Sequence, residues 1–485
     1  MADSLTSAER LLRTFARRTN LTLPGRGFAL RGDQHDPALA QALTRIAGGL
    51  GMRPVTDGAS ESLAPLTVDL TDEPRVLLGG TELPERPDAD TRITFARDHM
   101  PVSTALAREI TATGVLVGRT VGVCLPLEPK TAVLALLLRE AGAAVTVYAH
   151  PDETDVEVAE ALRSRAFEVS ADPARTGAAE RSAALDFVRS GLDLLIDDGA
   201  HLIRLAHAEA PDPVARWVGA SEETTSGVRA LRPLAERGAL LTPVIATNDA
   251  ATKTAFDNRY GTAQSCVFAV ADLLERVGLT LRSQRAVVVG YGPVGQGVAA
   301  MLRALDADVA VVETDPLRAL LARHDGFETG TLAELAPEAL VISATGAPRT
   351  VTADAAAAAR AVAVAGGTPG EVELGEDVTL EPVDGEPHIV RARPHGTFLL
   401  AHVGAANLVA GEGNPIEIMD LSFATQLAAL EHLVTARLAP GLHSLPDDAV
   451  ARVAASAAAA HGVLLDPADG RHEDEPRPGR FGVTA

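Results

Sequence analysis

Between positions 285 and 305 an apolar run enters a glycine turn with no spacer and leaves it as a helical pattern. The run is Arg285-Ala-Val-Val-Val-Gly290, the turn Gly290-Tyr-Gly292-Pro293-Val294-Gly295, and the helix Val298–Leu305. A short valine run fits a strand buried on both faces, as in a parallel sheet. The first glycine permits a tight turn, the second lets backbone approach a pyrophosphate, and the third allows close helix packing. The helix start then offers unpaired N–H groups to phosphate oxygens, with Pro293 and Val294 beside them. A second strand, Asp308–Val312, ends at Glu313, about 23 residues beyond Gly290, where the dinucleotide motif places an acid. A carboxylate there accepts hydrogen bonds from a ribose 2′-hydroxyl and repels a 2′-phosphate, so NAD is expected over NADP. Arg318 is near enough to weaken that preference slightly. The competing reading is a Rossmann domain that binds another adenine nucleotide or has lost its ligand.

A similar alternation starts earlier in the chain. Val115–Leu125 reads as a turn and a buried strand, Thr131–Glu140 as a helix, and Ala143–Tyr148 as a strand. Asp155–Arg163 is a helical run, and Leu192–Ile196 is a strand ending in Asp197-Asp198-Gly199. Two such series predict an α/β protein with two Rossmann-like, doubly wound parallel sheets. The 485 residues suffice for two or three domains with real cores. A net charge of −22 argues against nucleic acid or an anionic membrane surface as partner, because neutralising phosphates takes a basic face. Two cysteines, Cys124 and Cys266, make neither a disulfide framework nor a four-cysteine metal site, so no metal is expected. No apolar run reaches membrane-spanning length and the start lacks a signal-type apolar core, so a soluble cytoplasmic protein is expected.

The 43 Lys and Arg residues include only two lysines, Lys130 and Lys253. Arginine stays a cation, whereas a lysine's pKa falls readily on burial and the amine can then handle protons. Drift accounts for two surviving lysines equally well until their context is weighed. Lys253 stands in the polar run Asn248-Asp249-Ala-Ala-Thr252-Lys253-Thr-Ala-Phe256-Asp257-Asn258-Arg-Tyr260-Gly261, preceded by Ser221-Glu222-Glu223-Thr224-Thr225-Ser226-Gly227. Each run lies at an expected strand-to-helix junction, where open α/β sheets gather ligands. Lys253 and Asp257, four apart, share a helical face. The plain alternative is an ordinary i,i+4 ion pair beside a capping cluster.

These runs carry a resemblance. Asp197-Asp198-Gly199, SEETTSGV, NDAATKTAFDNRYG, VVVGYGPVGQG and VVETDP, with Leu399–Leu408, Asn414-Pro415, Met419 and Ser422-Phe423, are similar in text and spacing to the S-adenosylhomocysteine hydrolase family over roughly residues 95–445. In that family a tightly held NAD oxidises a ribose 3′-hydroxyl, the 4′-proton becomes acidic, the 5′ substituent leaves, water adds and the ketone is reduced again. The resemblance implies a substrate-binding domain over 95–252 and 414–446 and an NAD-binding Rossmann domain over 253–413. An N-terminal extension, read as loosely specified, fills 1–94, and a C-terminal helix and tail fill 447–485. It also implies that Lys253 handles the 3′-hydroxyl proton, as a neutral or hydrogen-bonded amine, while Asp257 holds the sugar and orients Lys253. Glu223 would grip the 2′-hydroxyl, Asp198 would serve proton transfer near the 4′ position, and Asn258 would lie beside the nicotinamide. Thr224, Thr225, Ser226, Thr345 and Asn407 join the cofactor set with Gly290, Gly292, Gly295, Glu313 and Arg318; Asn414 and Met419 join the substrate set. A homotetramer is implied by family analogy alone.

The other side of the expected pocket departs from the family. Its Cys-Leu-His-Met-Thr-x-Glu-Thr run appears as Cys124-Leu125-Pro126-Leu127-Glu128-Pro129-Lys130-Thr131. Pro126 therefore replaces a histidine assigned to acid/base work, and proline has no side-chain proton to give. Two further histidine positions align with Thr368 and Asn414, a thiol with Thr262, and the family's Asn and Gln are absent from His150-Pro-Asp152-Glu153-Thr154-Asp155. His150, His201 and His402 are candidate replacements, each with an ordinary polar role as its alternative. Lys130 either pairs with Glu128 in a surface-like bridge worth little or, with Glu128, contacts the substrate. Sugar and cofactor contacts are kept while those to the base and 5′ group change. The favoured expectation is a nucleoside-tailoring lyase that dehydrates its substrate; the alternatives are true S-adenosylhomocysteine hydrolysis and a non-catalytic NAD-binding regulator.

Overall fold

The structure is a computed structural model that describes residues 2–56, 63–83, 85, 87–368 and 370–466. Its described strands form three sheets. The largest all-parallel sheet has the order Gly441–His443, Pro243–Ile245, Gly219–Glu222, Leu194–Asp197, Thr120–Cys124, Ala144–Tyr148 and Glu168–Ser170. The second runs Glu328–Thr329, Val309–Val312, Ala286–Val289, Leu340–Ser343, Ala361–Val364 and Thr397–Leu400 in parallel. It then continues antiparallel through Glu386–Arg393 and Thr379–Val383. Both parallel arrays grow outward in two directions from their first strand, which is the doubly wound arrangement expected from the alternating pattern. Each therefore has a switch point where ligands collect beyond the strand ends. One lies between Thr120–Cys124 and Leu194–Asp197, the other between Ala286–Val289 and Leu340–Ser343.

Residues 1–94 hold more order than their turn-rich text suggested. Helices Ala2–Thr19 and Pro37–Gly49 pack on a five-stranded mixed sheet of Arg53–Pro54, Gly27–Arg31, Leu66–Asp69, Arg75–Leu78 and Thr81–Glu82. The strands are short and their connections rich in Gly, Pro and Asp, which hid them. Their apolar residues are nonetheless buried, among them Phe28, Leu66 and Val68, with Leu39, Leu43 and Ile46 spaced along one helix face. Asp36 caps that helix by accepting from Leu39 N at 2.9 Å. At the other end, the Ala-rich stretch forms helix Asp447–Ala460, while the polar tail read from the last fifteen residues lies outside the described residues. No described helix is long and apolar enough to cross a membrane.

A long helix, Ile416–Ala436, lies buried against this framework and carries polar side chains inward. Its Asp420 accepts from Val102 N at 2.8 Å and Ser103 N at 2.7 Å, satisfying the start of helix Pro101–Thr113. Its Glu417 pairs with the wholly buried guanidinium of Arg26 and accepts from Thr22 N at 2.8 Å. That clamp ties the N-terminal sheet to the rest of the molecule. Removing one partner of a buried pair strands the other charge, so Glu417→Ala should destabilise the protein by about 3–5 kcal/mol. Thermal and denaturant unfolding check this; a change within error would show that the clamp is not structural.

Candidate active site

The two switch points open on one cleft of about 870 Å³. On the dinucleotide side the glycines divide their roles as the motif requires. Gly290 has φ +94°, a left-handed conformation that suits glycine. A Cβ at Gly295 would stand 1.9 Å from the Gly290 carbonyl oxygen, whereas one at Gly292 would meet only the Arg318 guanidinium at 3.7 Å. Helix Pro293–Ala304 thus packs tightly on the turn while its N-terminus faces open space. Glu313 accepts from Tyr291 N at 2.7 Å, Thr314 N at 2.7 Å and Asp315 N at 3.0 Å. Burial pushes its pKa up, but those three amides outweigh burial and hold it below the ordinary glutamate value. It is ionised near neutrality, with acceptor capacity left for a ribose hydroxyl. These features fit NAD.

Across the cleft the backbone from Thr254 to Gly261 is π-helical. The wider turn brings both i+4 and i+5 side chains back to Lys253, where an α-helix would offer one. Asp257 Oδ2 lies 2.7 Å and Asn258 Oδ1 2.8 Å from Nζ, with Glu223 Oε1 at 3.8 Å. Burial depresses the ammonium's pKa, but Asp257 and then Glu223 more than offset it and hold it above the ordinary lysine value. These carboxylates favour an ammonium in the free site, the hydrogen-bonded form of the two that the sequence left open. Glu223 accepts from Ser422 Oγ and Gln426 Nε2, and burial raises it to about 7 against the pull of Lys253.

Asn414 connects the sets. Its Nδ2 donates to Asp257 at 2.6 Å and Thr262 at 3.1 Å, and its Oδ1 accepts from Asn407 at 2.9 Å and Ser265 at 2.7 Å. Thr225 Oγ1 donates to Asn248 at 3.1 Å and receives Asn258 Nδ2 at 3.3 Å. Thr224, Thr225 and Ser226 begin helix Thr225–Glu236 and line the cleft, as do Asp198, Met419, Thr345 and Arg318. Thr345 also meets Glu371 at 2.9 Å, a buried carboxylate that sequence reasoning missed. Burial holds Asp198 above the ordinary aspartate range, though Lys253 pulls it down.

The altered wall is built differently. Pro126 and Glu128 line the cleft, whereas Lys130 is not among the described residues that do. Its ammonium is almost wholly buried, 2.6 Å from Glu128 Oε2 and 2.9 Å from the Glu412 carbonyl oxygen. The expected substrate contact by Lys130 is therefore corrected to a supporting one, and the pair is a buried bridge instead of a surface one. Its partner faces the cleft with a pKa near 7, raised by burial and lowered by Lys130. His201 and His402 reach the cleft; His150 sits behind, 3.1 Å from Glu180. Glu153, unremarked in the sequence as a proton carrier, lines the cleft too. No described cluster of His, Cys, Asp and Glu is arranged to hold a metal ion.

Two doubly wound sheets sharing a cleft, one with a complete glycine turn, define a dinucleotide-binding α/β protein. Residues 258–381 match the family model for S-adenosyl-L-homocysteine hydrolase, NAD binding domain. S-inosyl-L-homocysteine hydrolase of Methanopyrus kandleri is 38% identical, covering 78% of this chain and 92% of that protein. Adenosylhomocysteinase of Thermotoga maritima is 36% identical, covering 78% and 96%. The chain belongs to the S-adenosyl-L-homocysteine hydrolase family, and NAD is its cofactor.

The glycines separate fold from ligand. Gly295→Ala should lower the melting temperature, because its Cβ meets backbone. Gly292→Ala should leave melting of the NAD-free protein unchanged but weaken NAD retention, read from the purified protein's absorbance, since its Cβ projects into the cleft. Equal melting for both variants would contradict the division.

Proposed function

We propose that the chain oxidises the 3′-hydroxyl of a nucleoside sugar, removes the adjacent 4′-proton and expels a 5′-hydroxyl as water, leaving a 4′,5′-unsaturated nucleoside. Bound NAD supplies the reversible oxidation and reduction of the sugar carbon. The chain's residues do the rest. The Lys253 ammonium has three N–H donors; Asp257 and Asn258 hold two of them closely, and the third, 3.5 Å from Asn248 Oδ1, is loosely held and can turn to the sugar oxygen. As Asp257 draws a proton from the amine, the amine takes the one leaving the hydroxyl. Glu223, fixed by Ser422 and Gln426, receives the 2′-hydroxyl. Asp198, whose raised pKa makes it a better base than a solvated aspartate, takes the 4′-proton.

The observation that carries this reading is the Lys253–Asp257–Asn258 cluster facing a cleft whose other wall holds Pro126. The cluster suits oxidation and proton removal, and argues against a non-catalytic regulator. Pro126 removes the acid/base side chain from that position, which favours a changed 5′ leaving group and a lyase reaction in nucleoside tailoring. Hydrolysis of an S-nucleosylhomocysteine is the second reading, supported by the relatives' activities. By the same kinship the working unit is taken as a homotetramer.

The test is to incubate the purified protein with adenosine, ketose nucleosides and S-adenosylhomocysteine, following nicotinamide reduction and product mass. A product lighter by one water is expected from a nucleoside with a free 5′-hydroxyl. Efficient homocysteine release instead would overturn the dehydration. Lys253→Ala should retain NAD yet slow turnover by about 100- to 10,000-fold; full activity would remove the proposed proton route.

A further inference from the structure

Hydroxide is a poor leaving group, since water's pKa is about 15.7. Losing it beside a 3′-ketone therefore needs a proton donor at the 5′ oxygen, and this inference rests on the dehydration reading above. The groups already described are unsuited to donating it. Lys253 is bound to Asp257 and Asn258, Glu223 to Ser422 and Gln426, and Glu128 to Lys130, while Pro126 carries no proton. Burial, and then His150, keep the His201 pKa below the ordinary histidine value, so it is neutral at physiological pH and a weak acid.

Glu153 is placed otherwise. It ends the short turn Pro151–Glu153, which is stitched to the Pro126 loop by Leu127 N donating to Glu153 O at 2.8 Å and Asp155 N to Leu127 O at 2.9 Å. That stitching puts Glu153 on the same cleft wall as Pro126, with Asp198 and His201. Among the described residues no cation pairs with its carboxyl and no donor bonds to it. The ionisable groups that bear on it are Asp152 on its own turn, Asp197 and Asp198 at the end of strand Leu194–Asp197, and the Cys124 thiol at the end of strand Thr120–Cys124, with Glu128 and His201 lining the same cleft. Helix Ala406–Val409, which packs against the turn, brings no ionisable side chain.

We propose that Glu153 is the proton donor to the 5′ leaving oxygen and works as a pair with Asp198. The Asp198 carboxylate takes the proton from C4′, the electron pair left behind forms the C4′–C5′ double bond, and the C5′–O bond breaks. The departing oxygen keeps that bond's electrons and takes the Glu153 proton, leaving as water. Reduction of the 3′-ketone then restores the alcohol, so the net reaction is redox-neutral. Transfer of the proton from Asp198 to Glu153 resets both groups. The surroundings of Glu153 keep that proton in place until it is needed. Burial, and then the charges of Asp198 and Asp152, raise its pKa to about 8, so it is protonated at neutral pH.

The experiment compares wild type and Glu153→Gln on two substrates in deuterated water. One is adenosine, whose 5′ group leaves as water; the other is 5′-chloro-5′-deoxyadenosine, whose chloride leaves without a proton. In the variant, water loss should fall about 100-fold or more, while deuterium exchange at C4′ and chloride loss stay near wild-type rates. Wild-type water loss should decline as pH rises through about 8, with chloride loss lacking that limb. Unchanged water loss in the variant, or equal decline on both substrates, overturns the assignment. If wild-type protein oxidises neither sugar, the dehydration reading fails along with it, a result distinct from either variant outcome.

Discussion

Lys253 holds one positive charge in a pocket that packs Asp257, Glu223 and Asp198 around it, and the arrangement of the cleft follows from that imbalance. At low effective dielectric a buried charge costs several kcal/mol unless paired and hydrogen-bonded. The ammonium meets that condition through Asp257 and Asn258, and the remaining carboxylates cannot all be ionised at once. Burial and the charge of Asp257 raise Glu223 to about 7 and hold Asp198 above the ordinary aspartate range. The site therefore holds carboxyl groups that exchange protons close to neutral pH.

What could be read beforehand depended on whether a residue's requirement was local. The glycine turn was legible because each glycine answers a constraint within a few positions, and Glu313 stood at the end of the next strand. The Lys253–Asp257 pair was legible from its spacing, although the π-helical turn that adds Asn258 was not, because sequence periodicity assumes 3.6 residues per turn. Asn414 was read as a substrate contact; its bond to Asp257 joins residues 157 positions apart and has no local signature. Lys130 and Glu128 read as substrate contacts or else a surface bridge, and the buried bridge was not legible, since burial at a helix start is decided by what packs over it. Glu371 and Gln426 went unnoticed for the same reason. The N-terminal sheet was hidden by strands of two to five residues, too short for alternation to stand out from turns.

The division between kept and altered contacts has a mechanical basis. Lys253, Asp257 and Asn258 sit on a junction pinned by the buried helix Ile416–Ala436 and by helix Pro293–Ala304, whose Gly297 leaves room for the Arg259 carbonyl where a Cβ would stand 1.8 Å away. A change there disturbs both sheets at once. Pro126, Glu128 and Glu153 instead lie on loops that follow strands Thr120–Cys124 and Ala144–Tyr148, tied mainly to each other. Loops carried by a rigid scaffold accept substitution without moving the elements beneath. One wall can therefore exchange side chains while the wall that carries Lys253 stays in register.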